Sequence, residues 1–148
     1  MNILNHQPRT SEQGSAVVEF ALILPILLLI VFGIINFGVL MYNQSVITNA
    51  AREGARWAAI HSSVVYGNTC TNSYSVAPID PCQVAFSYAS SVLISFGANA
   101  LTVTTSALNF NAGTPQTVNV NYSYTGVGWF FGGQASKKYS SIAVMLHE

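Results

Sequence analysis

The spacing of apolar residues changes character several times along the chain. From Phe20 to Tyr42 no residue carries a formal charge and nearly every position is apolar. That run is about 23 residues long, and a helix needs about 20 to cross the hydrocarbon core of a bilayer. From Gln44 to Ile60 the residues become small: Ala50, Gly54 and Ala58 form one row at four-residue spacing, and Ala51, Ala55 and Ala59 the row beside it. Farther on, Val84, Ala85, Tyr88, Ala89, Val92, Leu93 and Phe96 recur at three and four, which predicts a second helix over Gln83–Phe96 stopped by Gly97.

After Gly97 the period becomes two. Leu101, Val103 and Thr105 make one strand. Val118, Val120, Tyr122 and Tyr124 alternate with Asn119, Asn121 and Ser123 in a second, and Tyr139–Leu146 is a third, less regular one. His61–Pro81, Asn111–Pro115 and Gly126–Gly133 read as turn-rich connections. The sum is an α+β chain: a long N-terminal helix, then a small domain with one further helix and a three-stranded antiparallel sheet. One sheet face is polar; the other needs cover from the second helix and the outer half of the first.

The first helix should begin near Ser15 and run to Ile60, roughly 70 Å at 1.5 Å per residue. Pro25 lies inside it and removes one backbone donor, so a kink is expected there. Gly33 and Gly38 are ordinary in membrane helices. Asn36 is polar within the span and should bond either a neighbouring helix or its own backbone. Tyr42 and Asn43 mark the outer interface. The adjacent small rows, Ala50, Gly54 and Ala58 beside Ala51 and Ala55, admit two readings. They let another backbone approach closely, or they reflect the helix propensity of alanine. Arg52 and Arg56 share a face, and Glu53 is placed for a weak pair with Arg56.

Composition removes whole classes of function. Only 7% of the 148 residues are charged and the formal net charge is zero, so there is no basic surface for nucleic acid. His6, His61 and His147 are scattered, the Cys70–Cys82 spacing is not a zinc pattern, and neither a glycine-rich phosphate loop nor a serine nucleophile elbow is present. No enzyme, metal site or cofactor is expected. Cys70 and Cys82 are one disulfide if this part is exported, worth roughly 3 kcal/mol for a loop of about 13 residues, or two free thiols in a reducing compartment. The membrane segment offers a route out and favours the bridge. The Gly128–Gly133 loop, with Trp129, Phe130 and Phe131, is either an exposed contact tip or a set of rings tucked under the sheet.

Ahead of the apolar run, Met1–Gln13 is polar and without periodicity; Gly14, Ser15, Ala16, Val17, Val18 and then Glu19 and Phe20 follow. A secretory signal places its apolar core before the cut. Here the candidate cut, after Gly14, precedes the core and would leave the helix on the mature chain. A carboxylate such as Glu19 beside hydrocarbon costs roughly 2.5–3.5 kcal/mol on insertion scales, so a function is its default reading. Arg9 favours a cytoplasmic N-terminus, Arg52 and Arg56 oppose it, and the cysteine pair argues that the C-terminal part is outside.

A polar leader, Gly, small and apolar residues, Glu-Phe and a long apolar helix resemble the class III signal of type IV prepilins. The fuller pattern is EFALILPILLLIVFGIINFG, then AAREGARWAA, a cysteine pair and VNVNYSYTG…SSIAVMLHE. It resembles the TadE-like family, minor pilins or pseudopilins of the tight-adherence (Tad, or Flp pilus) system. The resemblance implies cleavage between Gly14 and Ser15 by a membrane prepilin peptidase. It also implies partnership with other Tad/Flp pilins, pilus assembly proteins and the lipid membrane, and a role in a pilus used for adhesion and biofilm formation. It places the chain in the bacterial inner or cytoplasmic membrane with its C-terminal domain outside, or in the pilus itself. The expected organisation is then leader 1–14, transmembrane helix 15–43, its continuation 44–60 and an α+β domain 61–148. Glu19, with Phe20, would set subunit register by pairing with the new amine of a neighbouring Ser15. The alternative is a single-pass, membrane-anchored binding protein with an uncleaved signal anchor.

Overall fold

The computed structural model describes residues 10–61, 69–70, 80–95, 100–106, 111–125 and 136–148. Its elements, in order, are α1 (Thr10–Ile60), β1 (Thr69–Cys70), α2 (Pro81–Val92), β2 (Ala100–Thr105), β3 (Pro115–Thr125) and β4 (Ser136–Leu146). This is the expected α+β architecture. β2, β3 and β4 form the three-stranded antiparallel sheet, and the two-residue β1 adds to the free side of β2. The chain divides into two compact units, Met1–Ile35 and Asn36–Glu148.

In the first unit α1 begins at Thr10 rather than near Ser15. Ser11, Glu12 and Gln13 are compatible with a helix, and the single Gly14 costs only about 1 kcal/mol against alanine. Pro25 is carried inside the helix without ending it.

In the second unit, the part of α1 beyond Asn36 turns one stripe inward. Asn43, Val46, Ile47, Ala50, Ala51, Gly54, Ala55, Ala58 and Ala59 are buried at three- and four-residue spacing. The core joins this stripe to Cys82, Ala85 and Ala89 of α2 and to Leu101, Val103, Val118, Val120, Tyr122 and Tyr124 of the sheet. Both strands alternate as period two requires: β3 buries Gln116, Val118, Val120, Tyr122 and Tyr124 and leaves the residues between them on the other face.

α2 starts two residues earlier and stops four residues earlier than its apolar pattern predicts. At the start, Asp80 is extended and its carboxylate accepts a 2.6 Å hydrogen bond from the Gln83 amide, while Pro81 occupies the first turn, where its missing N–H costs nothing. At the end, Leu93 is already extended. The cause lies on α1: the Asn43 side chain donates to Ile94 O at 2.7 Å and accepts from Ile94 N at 3.1 Å, drawing the chain out of the helix before Gly97 is reached.

Candidate functional site

The first unit presents an uncovered helix. Gly14, Ser15, Glu19, Phe20 and Pro25 are all exposed, as is nearly every residue from Gly14 to Ile35. The large apolar side chains among them include Phe20, exposed to 61%, and Leu22, to 71%. α1 is long and apolar enough to cross a membrane by length and composition, and none of its most apolar window is buried by the rest of the chain. Sequence and exposure together therefore describe an apolar cylinder with a single carboxylate, Glu19, near its start.

The second unit begins at Asn36, whose side chain finds a partner that neither expectation named. The Tyr124 hydroxyl donates to its Oδ1 at 2.8 Å. Burial holds the Tyr124 phenol above its ordinary pKa of 10.0, with further upward contributions from Tyr122 and Tyr139, and burial likewise raises Tyr139. Asn43, read as an interface marker, is fully buried in the folded unit. Its partner Ile94 O accepts a further bond from the Tyr122 hydroxyl at 3.3 Å. Asn36, Asn43, Tyr122 and Tyr124 thus fasten the sheet and the end of α2 to the part of α1 that belongs to the second unit.

The small-residue rows meet a neighbour within the same chain. A Cβ placed on Gly54 would stand 2.7 Å from Pro81 O, 2.9 Å from Ala85 Cβ and 3.3 Å from a Val118 methyl. α2 and β3 approach here because the glycine lacks that atom. Ala50, Ala51, Ala55 and Ala58 line the same buried seam. Arg52, Glu53 and Arg56 are exposed on the opposite side.

β1 pairs Cys70 with Val103 by backbone register, and Cys82 Sγ lies 3.4 Å from Val103 O. The two cysteines converge on one residue of β2. The aromatic loop at 128–133 lies outside the described residues, as does most of the 61–81 connection. Among the described residues, no three His, Cys, Asp or Glu side chains are grouped so as to hold a metal ion.

A single apolar helix joined to a small α+β unit defines a class of membrane-anchored proteins. The family model described as TadE-like protein matches residues 14–56, so the expected TadE-like kinship is borne out over that segment, from the glycine ahead of the apolar run to Arg56. That family is associated with the Tad pilus. No curated protein and no solved structure matches the chain.

Proposed function

We propose that this chain is a non-catalytic pilin-like subunit, cut between Gly14 and Ser15, that helps to assemble a Tad-type pilus as a minor, priming or capping component. The observation that carries the reading is the combination of a TadE-like segment with an apolar helix left bare by its own fold. A bare helix requires either lipid or sister helices. Glu19 supplies the selectivity between them: the cut exposes an amine at Ser15, and a carboxylate on an axially shifted neighbour neutralises it away from water. The folded unit adds bulk outside the membrane, which suits a subunit placed at a fibre end more than one repeated along it. Adhesion and biofilm formation follow from the pilus rather than from this chain alone.

The membrane part runs from Ser15 toward the first residues of the folded unit, with residues beyond Ile60 outside the cytoplasm. Cys70 and Cys82 form a disulfide there, a reading supported by their convergence on Val103 and by the absence of a free cysteine among the described residues.

N-terminal sequencing of the mature protein, from cells that make the pilus, tests the proposal. A start at Ser15 is expected, and a start at Met1 overturns it. One observation favours the alternative of an uncut tether: α1 continues through the junction from Thr10. A tether tolerates replacement of the Ser15–Tyr42 helix by another span, whereas a pilin-like subunit does not.

A further inference from the structure

β4 is the last strand of the sheet, and among the described residues no strand lies along its other side. In an antiparallel ladder one residue turns both backbone groups to a neighbour and the next turns both the other way. His147 faces β3: its N–H donates to Thr114 O at 2.9 Å, and its carbonyl accepts from Gly113 N at 2.8 Å. Counting back by two along the register, Met145, Ala143, Ser141, Tyr139 and Lys137 also face β3. Leu146, Val144, Ile142, Ser140 and Lys138 therefore aim their N–H and C=O groups at the free edge. Pro115 fits this phase, since it stands opposite Leu146 and has no N–H to give.

The side chains of these residues depart from the polar face they join. β3 contributes Thr117, Asn119 and Asn121 to that face; beside them β4 sets Val144, Ile142 and Ser140. Ile142, Val144 and Leu146 are exposed to 62%, 57% and 63%. Proteins that keep an edge strand from pairing place charge or proline along it. Here Lys137 and Lys138 stand at one end, and nothing from Tyr139 to Leu146 is charged or proline. The edge is also formed in advance. β4 pairs with β3 along its whole length, and Ser141 Oγ lies 3.4 Å from Thr48 Oγ1 of α1. A partner therefore has little of this strand left to order.

We infer that the edge from Lys138 to Leu146 takes up an extended strand of another polypeptide, which adds antiparallel as the next strand of the sheet. The ligand is a backbone because a second backbone repeats donors and acceptors at the spacing this edge presents. On the outer face the incoming strand carries apolar residues against Ile142, Val144 and Leu146, and a carboxylate near its C-terminal end against Lys138. β2, β3 and β4 contain no Asp or Glu, so that carboxylate comes from outside the sheet. A second copy of this chain fits less well. Self-pairing over the same residues sets Lys138 opposite Leu146, and Glu148 stands off the ladder, its N–H bonded to Ala59 O at 3.2 Å. The inference concerns the folded unit alone and stands whether or not the leader is cut.

The test uses the full chain in detergent and a blocked, dye-labelled peptide in which valine alternates with threonine and the C-terminal end carries two glutamates. Binding is read by fluorescence anisotropy, and amide exchange by NMR with the unlabelled peptide. Saturable binding is expected. The amides of Ser140, Ile142 and Val144 should then exchange at least about tenfold more slowly, while those of Tyr139, Ser141 and Ala143, already bonded to β3, keep their rates. Ile142→Pro removes only an outward N–H, so it should abolish binding while the chain melts near its usual temperature. Should proline unfold the strand, Lys138→Glu decides instead: about fivefold weaker binding is expected, restored by a peptide with lysines in place of the glutamates. No saturable binding, or binding without the alternation in exchange, overturns the inference. So does full binding by a folded Ile142→Pro chain, or unchanged binding by Lys138→Glu. Outward amides that slow without peptide as protein concentration rises assign the edge to a second copy, and overturn it too.

Discussion

The Tyr124 hydroxyl on β3 donates a 2.8 Å hydrogen bond to Asn36 Oδ1 on α1, joining positions 88 residues apart in the chain. A buried phenol with a single side-chain partner contributes about 0.5–1.5 kcal/mol net. Tyr124→Phe is expected to lower stability by that amount at neutral pH, read as a shift in the denaturant midpoint.

The same phenol predicts an alkaline limit. The folded pKa of Tyr124 is raised above 10.0 by burial and by Tyr122 and Tyr139, and that of Tyr139 by burial. Above about pH 10 the unfolded chain releases these protons while the folded chain retains them, so the unfolded state binds fewer. Stability is full below pH 10 and falls as pH climbs through the raised folded values. Melting temperature against pH should turn downward above about 10, and Tyr124→Phe should make that limb shallower.

Asn43 gives a sharper test, because both ends of its amide are used on Ile94. Asn43→Ala removes one donor and one acceptor from a buried place, an expected loss of about 1–3 kcal/mol. Asn43→Asp keeps the size but sets an acceptor against Ile94 O, where a donor stood. It should cost more than alanine at neutral pH and recover in part when acidified. Thermal melts of the two variants at pH 5 and pH 8 decide this.

These two asparagines also mark where reading the sequence stopped. The strands were legible because alternation is a local property: Val118, Val120, Tyr122 and Tyr124 could face one way only if the residues between them faced the other. The long helix was legible from its unbroken apolar run, and the start of α2 erred by only two residues. Asn36 and Asn43, however, looked like membrane residues, since nothing nearby reveals that Tyr124 and Ile94 will come to meet them. The early end of α2 was hidden for the same reason: the residue that stops it lies 51 positions away. The Gly54 row announced a close approach, yet its period is the same whether the neighbour is another subunit or the chain's own α2.

Gly54→Ala tests that approach. The added Cβ would meet the Pro81 carbonyl at 2.7 Å, a backbone atom that cannot swing aside as a flexible side chain could. Overpacking of this kind costs about 1–3 kcal/mol, against which the better helix propensity of alanine returns about 1 kcal/mol. A net loss is expected in chemical denaturation. A gain in stability would mean that α2 shifts freely along α1.

Cys82 lies in the first turn of α2 and its sulfur faces β2, so a bridge to Cys70 would close a loop of about 13 residues against the sheet. Closing a loop of that length stabilises by roughly 3 kcal/mol. Reduction, or Cys82→Ser, should lower the unfolding midpoint accordingly, and alkylation of the unreduced protein should label no thiol. Labelling of two thiols in protein taken from outside the cytoplasm removes the bridge.

Glu19 separates folding from assembly. It is exposed on the helix of the first unit, and the hydrophobic core is built from residues of the second. Glu19→Ala should therefore leave the melting of the folded unit unchanged. It should also raise the affinity of the helix for lipid, since a carboxylate near the bilayer costs energy that alanine does not. If the carboxylate serves only as a tolerated charge, the variant accumulates in the membrane and enters fibres normally. If it pairs with the Ser15 amine of a neighbour, the variant accumulates in the membrane and is depleted from sheared pili. Glu19→Gln, which keeps the size and hydrogen bonding but not the charge, should share the assembly defect. The decisive quantity is the ratio of fibre-bound to membrane-bound protein, because it cancels differences in expression. A ratio equal to that of the unaltered chain for both variants would remove charge pairing as the means by which neighbouring helices find their register.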